Sequence, residues 1–294
     1  MPGAIVRLPS HQLAGARAAY RAAVAPRLVR AAVTAAVLAA LVALAAVGGE
    51  VDPVKLAANI HRFPDYIRSL VPPLTWAHLA DDLADWFWNL DHWLGLLLDT
   101  VLIAYLGTLL AAAGAFALCF LAAQNLEKRG WVRFAARRGL EFCRAVPEIV
   151  FALIFVAAFG LGALPGVLAL AVHGMGSLGK LYTEVVESID GNPVEGVASA
   201  GGGWWSIVRF AVLPQVLPNF ASYTLLRFEI NVRAAAVIGF VGAGGIGQDL
   251  MEAIRKFYYA DISAMLVMIV GAVVIIDLVT EQLRHRLIGL ERRR

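Results

Sequence analysis

The sequence has few charged residues, and this scarcity excludes most classes of soluble protein. Asp, Glu, Lys and Arg together make up 16% of the 294 residues, whereas about a quarter is usual in soluble domains. Hydrophobic residues make up 60% of the chain, and the mean hydropathy is +0.72. The chain is therefore predicted to be a membrane protein. A net charge of +3 gives no reason to expect a nucleic acid as partner.

Cysteine is also scarce and histidine is scattered, which argues against a disulfide scaffold and a metal enzyme. Cys119 and Cys143 both lie in apolar runs, where cysteine behaves as a small buried hydrophobe. The six histidines are scattered along the chain, and no acidic cluster is expected at one membrane depth. We expect no cofactor and no metal on this chain. A membrane-embedded enzyme, such as a phosphotransferase or a lipid-modifying enzyme, is the alternative from another class.

Long apolar runs predict an all-α, polytopic membrane protein with about six transmembrane helices, because a helix needs about 20 apolar residues to cross a bilayer. The predicted spans are residues 28–49, 94–123, 142–161, 166–182, 219–241 and 262–283. The predicted divisions are an N-terminal segment (1–28), a transmembrane domain (29–283) with an external segment (50–95) and a cytosolic loop (184–218), and a basic tail (284–294).

Positive charge predicts the orientation of these spans. The N-terminal segment, the stretch Lys128–Arg138 and the C-terminal tail are rich in arginine, and cytosolic segments of membrane proteins carry an excess of Lys and Arg. Both termini are therefore predicted to be cytosolic. A cleaved signal peptide is less favoured than a first span, because the apolar run exceeds a usual signal core. The acidic, tryptophan-rich segment 50–95 predicts an interfacial helix from Asp81 to Trp93.

Proline and glycine predict breaks and close contacts within the spans. Pro147 and Glu148 are expected to kink the third span near its start. Residues 174–181 nearly match a phosphate-binding loop and residues 242–247 match GxGxxG, but neither follows a strand, so nucleotide binding is disfavoured. Gly174, Gly176 and Gly179 instead predict a smooth face for helix packing. A hinge or outer gate at the end of span five is predicted at Gly242, Gly244, Gly245 and Gly247.

The loop Asn192–Pro218 lies between two spans and carries helix-boundary signals. Asn192 followed by Pro193 and Glu195 predicts a capping box at the start of a helix. Gly201 and the two glycines after it predict a break. A second short helix, Trp204–Val212, is predicted to end at Leu213–Pro214, because proline lacks the backbone donor.

This loop resembles the EAA loop of permease subunits of type I ABC importers. Glu195, Gly201, Leu213 and Pro214 fall on the family pattern, whereas Gly196, Val197 and Ala211 depart from it. In that family the loop forms the coupling helix that docks into a separate ATPase subunit. The alternative is an ordinary capped helix in which Glu195 only satisfies its own helix end. The resemblance implies that the ATPase-coupling residues are Glu195, Gly201, Trp204, Trp205, Leu213 and Pro214.

The fifth span contains charged residues that are costly in a membrane, at about 2.5–3.5 kcal/mol each on insertion scales. Glu229 and Arg233 are four residues apart and are expected to pair on one helix face. Arg227 and Asn231 are also four residues apart, on a neighbouring face. One interpretation is a self-satisfied ion-pair network. The other is a translocation path for an anionic solute, formed by Tyr223, Arg227, Glu229, Asn231 and Arg233.

The stretches 144–155, 223–233 and 237–250 resemble phosphonate ABC transporter permeases in particular. The resemblance implies a subunit that moves phosphonate, phosphate or phosphite across the bacterial inner membrane by alternating access. It also implies a homodimer of permease subunits, ABC ATPase subunits that hold ATP and magnesium, and an external solute-binding protein. A permease of the same class for methionine and a secondary transporter without an ATPase are the remaining alternatives.

Overall fold

The computed structural model describes residues 10–291, and every regular element in that range is helical, which confirms the predicted all-α class. Residues 1–9 of the predicted N-terminal segment and residues 292–294 of the predicted tail lie outside the described residues. The elements are α1 (Ser10–Gly48), α2 (Pro53–Asn59), α3 (Arg62–Leu70), α4 (Leu79–Trp86), α5 (Leu90–Ala122), α6 (Gly130–Ala145), α7 (Glu148–Phe159), α8 (Ala163–Glu187), α9 (Gly191–Ser199), α10 (Trp204–Ile207), a π turn (Val208–Val212), α11 (Leu213–Ile238), a 3-10 turn (Gly239–Val241), α12 (Ile246–Lys256) and α13 (Tyr259–Glu291).

Four of the described helices are long and apolar enough to cross a membrane, and two bent helix pairs bring the number to six if each pair is one span. The four are α5, α8 and the apolar parts of α1 and α13. The bent pairs are α6 with α7, and the helix Trp204–Val241 with α12. The count agrees with the predicted six spans, although two of them are broken.

Residues up to 67 and residues from 68 onward form two compact units. The first contains α1, α2 and most of α3. Asp52 caps α2, because its side chain accepts hydrogen bonds from the backbone N–H groups of Val54 and Lys55 at 2.9 and 3.1 Å. The apolar part of α1, Val24–Gly48, buries none of its residues.

The second unit has three apolar clusters that follow one another along its long helices. One cluster, called the loop-end core, joins α5, α8 and α11 near the loop that carries α9 and α10; it includes Leu178, Tyr182, Val212 and Phe220. A middle cluster joins α5, α7, α8 and α11. The third joins α4, α12 and the first turns of α5 and α13.

Helix α8 packs closely on its neighbours through the three glycines predicted to form a smooth face. A Cβ built on Gly174 would lie 2.8 Å from Ala111 Cβ of α5. A Cβ on Gly176 would lie 2.5 Å from the backbone N of Arg144 and 2.6 Å from the carbonyl O of Leu140, both in α6. Gly179 lies equally tightly against the Leu140 side chain. The predicted close packing is therefore confirmed, and it unites α5, α6 and α8.

The third predicted span, residues 142–161, is wrong as a single helix. Helices α6 and α7 meet at an angle of 87°, and the break falls at Val146 and Pro147. Pro147 is the N-cap of α7; it has no N–H to continue the α6 hydrogen bonds, and its ring excludes the preceding turn. The kink predicted at Pro147 is thus confirmed, but it is a sharp corner that shortens the apolar helix.

The predicted interfacial helix Asp81–Trp93 is also wrong, because α4 ends at Trp86 and α5 begins at Leu90. A tight turn separates them, in which Leu90 N donates to Phe87 O at 3.0 Å. The tryptophans are fixed by the start of α13: Trp86 Nε1 donates to Ser263 Oγ at 3.0 Å, and Trp88 Nε1 donates to Asp261 Oδ1 at 3.1 Å.

The turn before α4 is held by one carboxylate. Thr75 donates both its backbone N–H and its hydroxyl to Asp82 Oδ2, at 2.7 and 2.8 Å. These two hydrogen bonds stabilise the charged form and lower the pKa of Asp82 below its usual value.

We predict that Gly176→Ala destabilises the second unit by about 1–3 kcal/mol, because the added methyl group would meet backbone atoms of α6 that cannot rotate away. Gly139→Ala is the matched control, since a Cβ there meets nothing within 4 Å, and it should be neutral or stabilise by up to about 1 kcal/mol. Thermal unfolding of the two purified variants tests this, and equal melting temperatures would contradict the close packing.

Candidate functional site

The loop between α8 and α11 begins with a helix cap that differs from the predicted one. Asp190, not Asn192, is the N-cap of α9, and Asp190 Oδ1 accepts a hydrogen bond from Asn192 N at 3.0 Å. The predicted capping box is wrong because the helix starts two residues earlier, which puts Glu195 beyond its third position. Glu195 is exposed on α9, so the interpretation that it only satisfies its own helix end loses its geometric basis.

The predicted glycine break after α9 is confirmed. Gly201 has a φ of +83°, a left-handed conformation that glycine adopts without steric cost. A Cβ on Gly202 would lie 2.8 Å from Val197 O. The two glycines therefore let the chain turn back tightly between α9 and α10.

The predicted stop at Leu213–Pro214 is wrong. The chain stays helical from Trp204 to Val241, because the π turn Val208–Val212 precedes the proline. A π turn is wider than an α turn, which leaves room for the Pro214 ring in the first turn of α11. Gln215 stabilises this arrangement: its Nε2 donates to Ala211 O at 2.7 Å and its Oε1 accepts from Asp190 N at 3.1 Å.

The loop is packed onto the helix bundle rather than suspended from it. Val194 of α9 and Trp204 and Ile207 of α10 pack against the loop-end core. Trp205 stands edge-on to Trp204, with ring centroids 4.6 Å apart, and is 77% exposed. A groove of about 810 Å³ separates α9 and α10 from the end of α5. The loop thus presents an exposed aromatic surface, while its inner side is packed against the loop-end core.

The structure brings the six residues predicted for ATPase coupling together in one loop and the helix turn that follows it. Their coupling role stays a prediction. Four are exposed and Trp204 and Leu213 are half-buried; the exposed ones are Glu195, Gly201, Trp205 and Pro214.

The charged residues of the fifth span separate onto two sides of α11. On one side, Glu229 pairs with Arg233 at 3.0 Å, as predicted. Arg233 also pairs with Asp277 of α13 at 3.1 Å, and Arg284 of α13 reaches the second oxygen of Glu229 at 3.5 Å. Glu229 is only 14% exposed. This network of four charges connects α11 to α13.

On the other side of α11, Arg227 and Asn231 are buried against α8. Arg227 is 9% exposed and Asn231 is fully buried. These two residues do not pair with each other, because Asn231 Nδ2 donates to Thr108 Oγ1 of α5 at 2.8 Å. Within residues 10–291, Arg227 Nε and Asn231 Oδ1 have no hydrogen-bond partner. An unsatisfied donor and an unsatisfied acceptor therefore lie one helical turn apart inside the span.

Two further polar residues near Arg227 were missed from the sequence. His173 lies beside Gly174 on α8, and its Nδ1 contacts Val146 O at 2.9 Å, the carbonyl at the α6–α7 corner. His173 Nε2 lies 3.6 Å from Glu148 Oε2 at the start of α7. Pro147 was the available signal, because a broken helix exposes backbone groups that need polar partners.

Tyr223 lies near the middle of α11, and the glycine run follows the end of this helix. Tyr223 is half-buried against the loop-end core. In the glycine run, Gly242, Gly244 and Gly245 have φ values of +86°, +83° and +74°. Gly247 faces α11, where a Cβ would overlap Ala236 O.

Hydrogen bonds hold the glycine run in place. Ile246 N donates to Thr100 Oγ1 of α5 at 2.9 Å, and Gly162 N donates to Gly242 O at 3.0 Å. The run is a tightly packed corner, and its role as a hinge or gate stays a prediction.

Comparison with known proteins places this architecture in a described family. Residues 115–288 match the family model "Binding-protein-dependent transport system inner membrane component". The phosphite transport system permease protein PtxC of Stutzerimonas stutzeri is 42% identical over 192 residues, 65% of this chain and 70% of that protein. The putative phosphite permease HtxC of the same organism is 32% identical over 81% of this chain and 80% of its own length.

A third relative is longer than this chain. The phosphate-import permease protein PhnE of Mycolicibacterium smegmatis is 46% identical over 164 residues, which is 56% of this chain but 31% of that protein. Among solved structures, an amino acid ABC transporter aligns with a TM-score of 0.55 at 17% identity, over 71% of this chain and 98% of its own. The MetNI methionine ABC transporter gives 0.57 at 16% identity, over 66% and 95%. At these low sequence identities, the similarity to solved structures supports the fold alone.

We predict that Asp190→Ala weakens the start of α9 by about 1 kcal/mol, because the helix loses its side-chain cap. Asn192→Ala should have a smaller effect, since only a 3.4 Å contact to Asp190 is lost. Hydrogen exchange at the amides of residues 191–199 measures both changes. Faster exchange in Asn192→Ala than in Asp190→Ala would contradict the assigned cap.

Proposed function

The chain belongs to the family of binding-protein-dependent transport system inner membrane components, and we propose that it moves a phosphorus oxyanion across the inner membrane. The proposed solutes are phosphonate, phosphate and phosphite, which share a tetrahedral phosphorus with anionic oxygens. The names of PtxC, HtxC and PhnE support this class of solute. The chain itself would act as the transmembrane subunit of an ATP-driven importer.

The observation that carries the solute class is the unsatisfied pair of polar groups on α11. A guanidinium donates planar, charge-assisted hydrogen bonds that match phosphorus oxyanions. A protonated oxyanion also carries a P–OH group. The free amide oxygen of Asn231 can accept a hydrogen bond from this group. Arg227 Nε and Asn231 Oδ1 together offer that combination inside a span. We infer that these two residues contact the solute on its way through the membrane.

Of the other residues predicted to line the path, Glu229 and Arg233 are assigned a supporting role. Their contacts with Asp277 and Arg284 hold α11 against α13, so their charges are already compensated. They fix the rotation of α11 that directs Arg227 toward α8. Tyr223 lies one helical turn before Arg227 and is proposed to contribute a neutral donor at the loop end of the path.

Energy is proposed to enter through the loop that carries α9 and α10. The continuous helix from Trp204 to Val241 connects this loop directly to the segment that holds Arg227. A push on Trp205 or Glu195 by a separate ATPase subunit would tilt α11 as a whole. ATP and magnesium would be bound by that subunit. The glycine corner at residues 242–247 would absorb the motion at the other end of α11.

The proposed assembly contains two copies of this chain, two ABC ATPase subunits and an external solute-binding protein, with both termini of the chain in the cytosol. Two copies would enclose a path between them. The basic segments that follow α5 and α13 support this orientation.

A permease of the same class for another solute, such as methionine, is the closest alternative. The likeness to the methionine transporter concerns the fold, and a zwitterion gives a buried arginine less to neutralise. An oxyanion gives Arg227 a full counter-charge.

We predict that Glu195→Ala lowers solute-stimulated ATP hydrolysis by at least about fivefold, since a docking contact contributes ~1–2 kcal/mol or more. Because Asp190 rather than Glu195 caps α9, the melting temperature of the permease should stay unchanged. Ser199→Ala, an exposed change at the end of the same helix, is the control. Wild-type coupling in Glu195→Ala would contradict the proposed role of this residue.

We predict that Arg227→Gln lowers uptake of phosphite or methylphosphonate by at least about tenfold in cells that depend on this permease, because the positive charge inside the span is lost. Arg227→Lys should keep part of the activity, since it keeps the charge but not the planar donors.

Arg286→Gln, an exposed arginine near the end of α13, is the control for this experiment. Membrane levels of each variant are measured alongside uptake. Normal uptake by Arg227→Gln at wild-type levels would remove the basis for the oxyanion path.

A further inference from the structure

The corner between α6 and α7 places a carboxylate opposite the buried arginine of α11. Glu148 is the first residue of α7, directly after Pro147. The corner exists because Pro147 cannot continue α6, so the position of Glu148 is fixed by the backbone. Glu148 Oε2 lies 3.6 Å from His173 Nε2 of α8, and Gly174, the next residue of α8, lies against Arg227. Arg227 forms no ion pair within 4.0 Å in the described part of the chain. The two opposite charges therefore lie against neighbouring residues of α8 without forming an ion pair with each other.

Helix α8 has a glycine, and therefore no side chain, where it meets Arg227 and Asn231. A Cβ built on Gly174 would lie 3.5 Å from Arg227 Nε and 3.9 Å from Asn231 Nδ2. Gly174 therefore lies directly against both side chains. His173, the preceding residue, lies beside Glu148. Residues of three helices, α7, α8 and α11, meet in this region, which contains a guanidinium, a free amide oxygen and a carboxylate.

His173 holds Glu148 only weakly. Its Nδ1 lies 2.9 Å from Val146 O, and a carbonyl can only accept, so Nδ1 donates. The 3.6 Å separation between His173 Nε2 and Glu148 Oε2 is too long for a hydrogen bond, so His173 does not hydrogen-bond Glu148.

A buried arginine without a partner is costly, so Arg227 needs a counter-charge whenever no solute is bound. Glu148 is the acidic group placed to supply it. An oxyanion that reaches Arg227 must compete with this carboxylate, because two negative charges at one guanidinium repel each other. Return of the carboxylate then helps the solute to leave.

Resting on the proposed function, we propose that Glu148 is a resident competitor of the transported oxyanion for Arg227. It sets how weakly the permease holds its solute, and it does so through charge. A transporter gains from this arrangement because a site that binds too tightly cannot release its cargo.

The test is direct binding of inorganic phosphate and methylphosphonate to the permease purified with its ATPase subunit in nanodiscs, without nucleotide and without the solute-binding protein. Glu148→Gln should lower the dissociation constant by at least about tenfold, because the competing charge is removed while the shape is kept. Glu148→Asp keeps the charge and should bind as the wild type does. Arg227→Gln and the double variant Glu148→Gln/Arg227→Gln should not bind.

The opposite signs of the two single variants separate competition from a structural ion pair. If Glu148 only stabilised Arg227, Glu148→Gln would weaken binding as Arg227→Gln does, and the proposal would be wrong. Tighter binding that persists in the double variant would also overturn it, because the effect would not pass through Arg227. Glu184→Gln, which removes an exposed carboxylate paired with Lys180 on α8, should leave binding unchanged.

Uptake by intact cells distinguishes failure of this proposal from failure of the proposed function. If wild-type cells take up neither phosphate nor methylphosphonate through this permease, the proposed solute class is wrong. If they do, but Glu148→Gln binds no more tightly than the wild type or neither protein binds at all, only the competition is wrong. Melting temperatures of all variants confirm that each is folded.

Discussion

The close approach of α8 to its neighbours is the constraint on which the second unit depends. Gly176 lies against backbone atoms of α6, and Gly174 lies against α5 and under Arg227. Without side chains at these positions, the helices approach until their backbones touch, which is the usual source of helix association in lipid. The same approach brings His173 to the α6–α7 corner. The same glycines therefore allow the close helix packing and leave room for the Arg227 side chain.

Mechanical continuity between loop and span follows from a local irregularity. Pro214 and Pro218 would be expected to separate the loop from α11, but the wide turn at Val208–Val212 accommodates the first of them, and the helix continues. In the loop-end core, the ring of Tyr182 of α8 stacks on the ring of Phe220 of α11, with ring centroids 3.9 Å apart. Under the proposed mechanism, a displacement of the loop would be transmitted to α11 and α8 together.

The polar residues of α11 form two groups that differ in their partners. Glu229 and Arg233 find opposite charges on α13, which makes them a connection between helices. Arg227 and Asn231 retain unsatisfied atoms on the side of α8. Since an unsatisfied polar group in a membrane is costly, its retention favours a ligand over a purely structural role. One group fits the interpretation as an ion-pair network, and the other fits the interpretation as a translocation path.

The sequence by itself determined the all-helical class, the six apolar segments, the glycine face of α8, the break at Gly201 and the pair Glu229–Arg233, because each follows from spacing along one helix or from the chemistry of a single residue. Tertiary structure decided that the chain stays helical through Pro214, where Gln215 binds Asp190 of the preceding loop, and that Asn231 donates to Thr108. It also decided that Glu148, His173 and Arg227 converge. These contacts join residues up to 123 positions apart, and the rotation of each helix, which selects them, is set by packing against the others rather than by any local pattern.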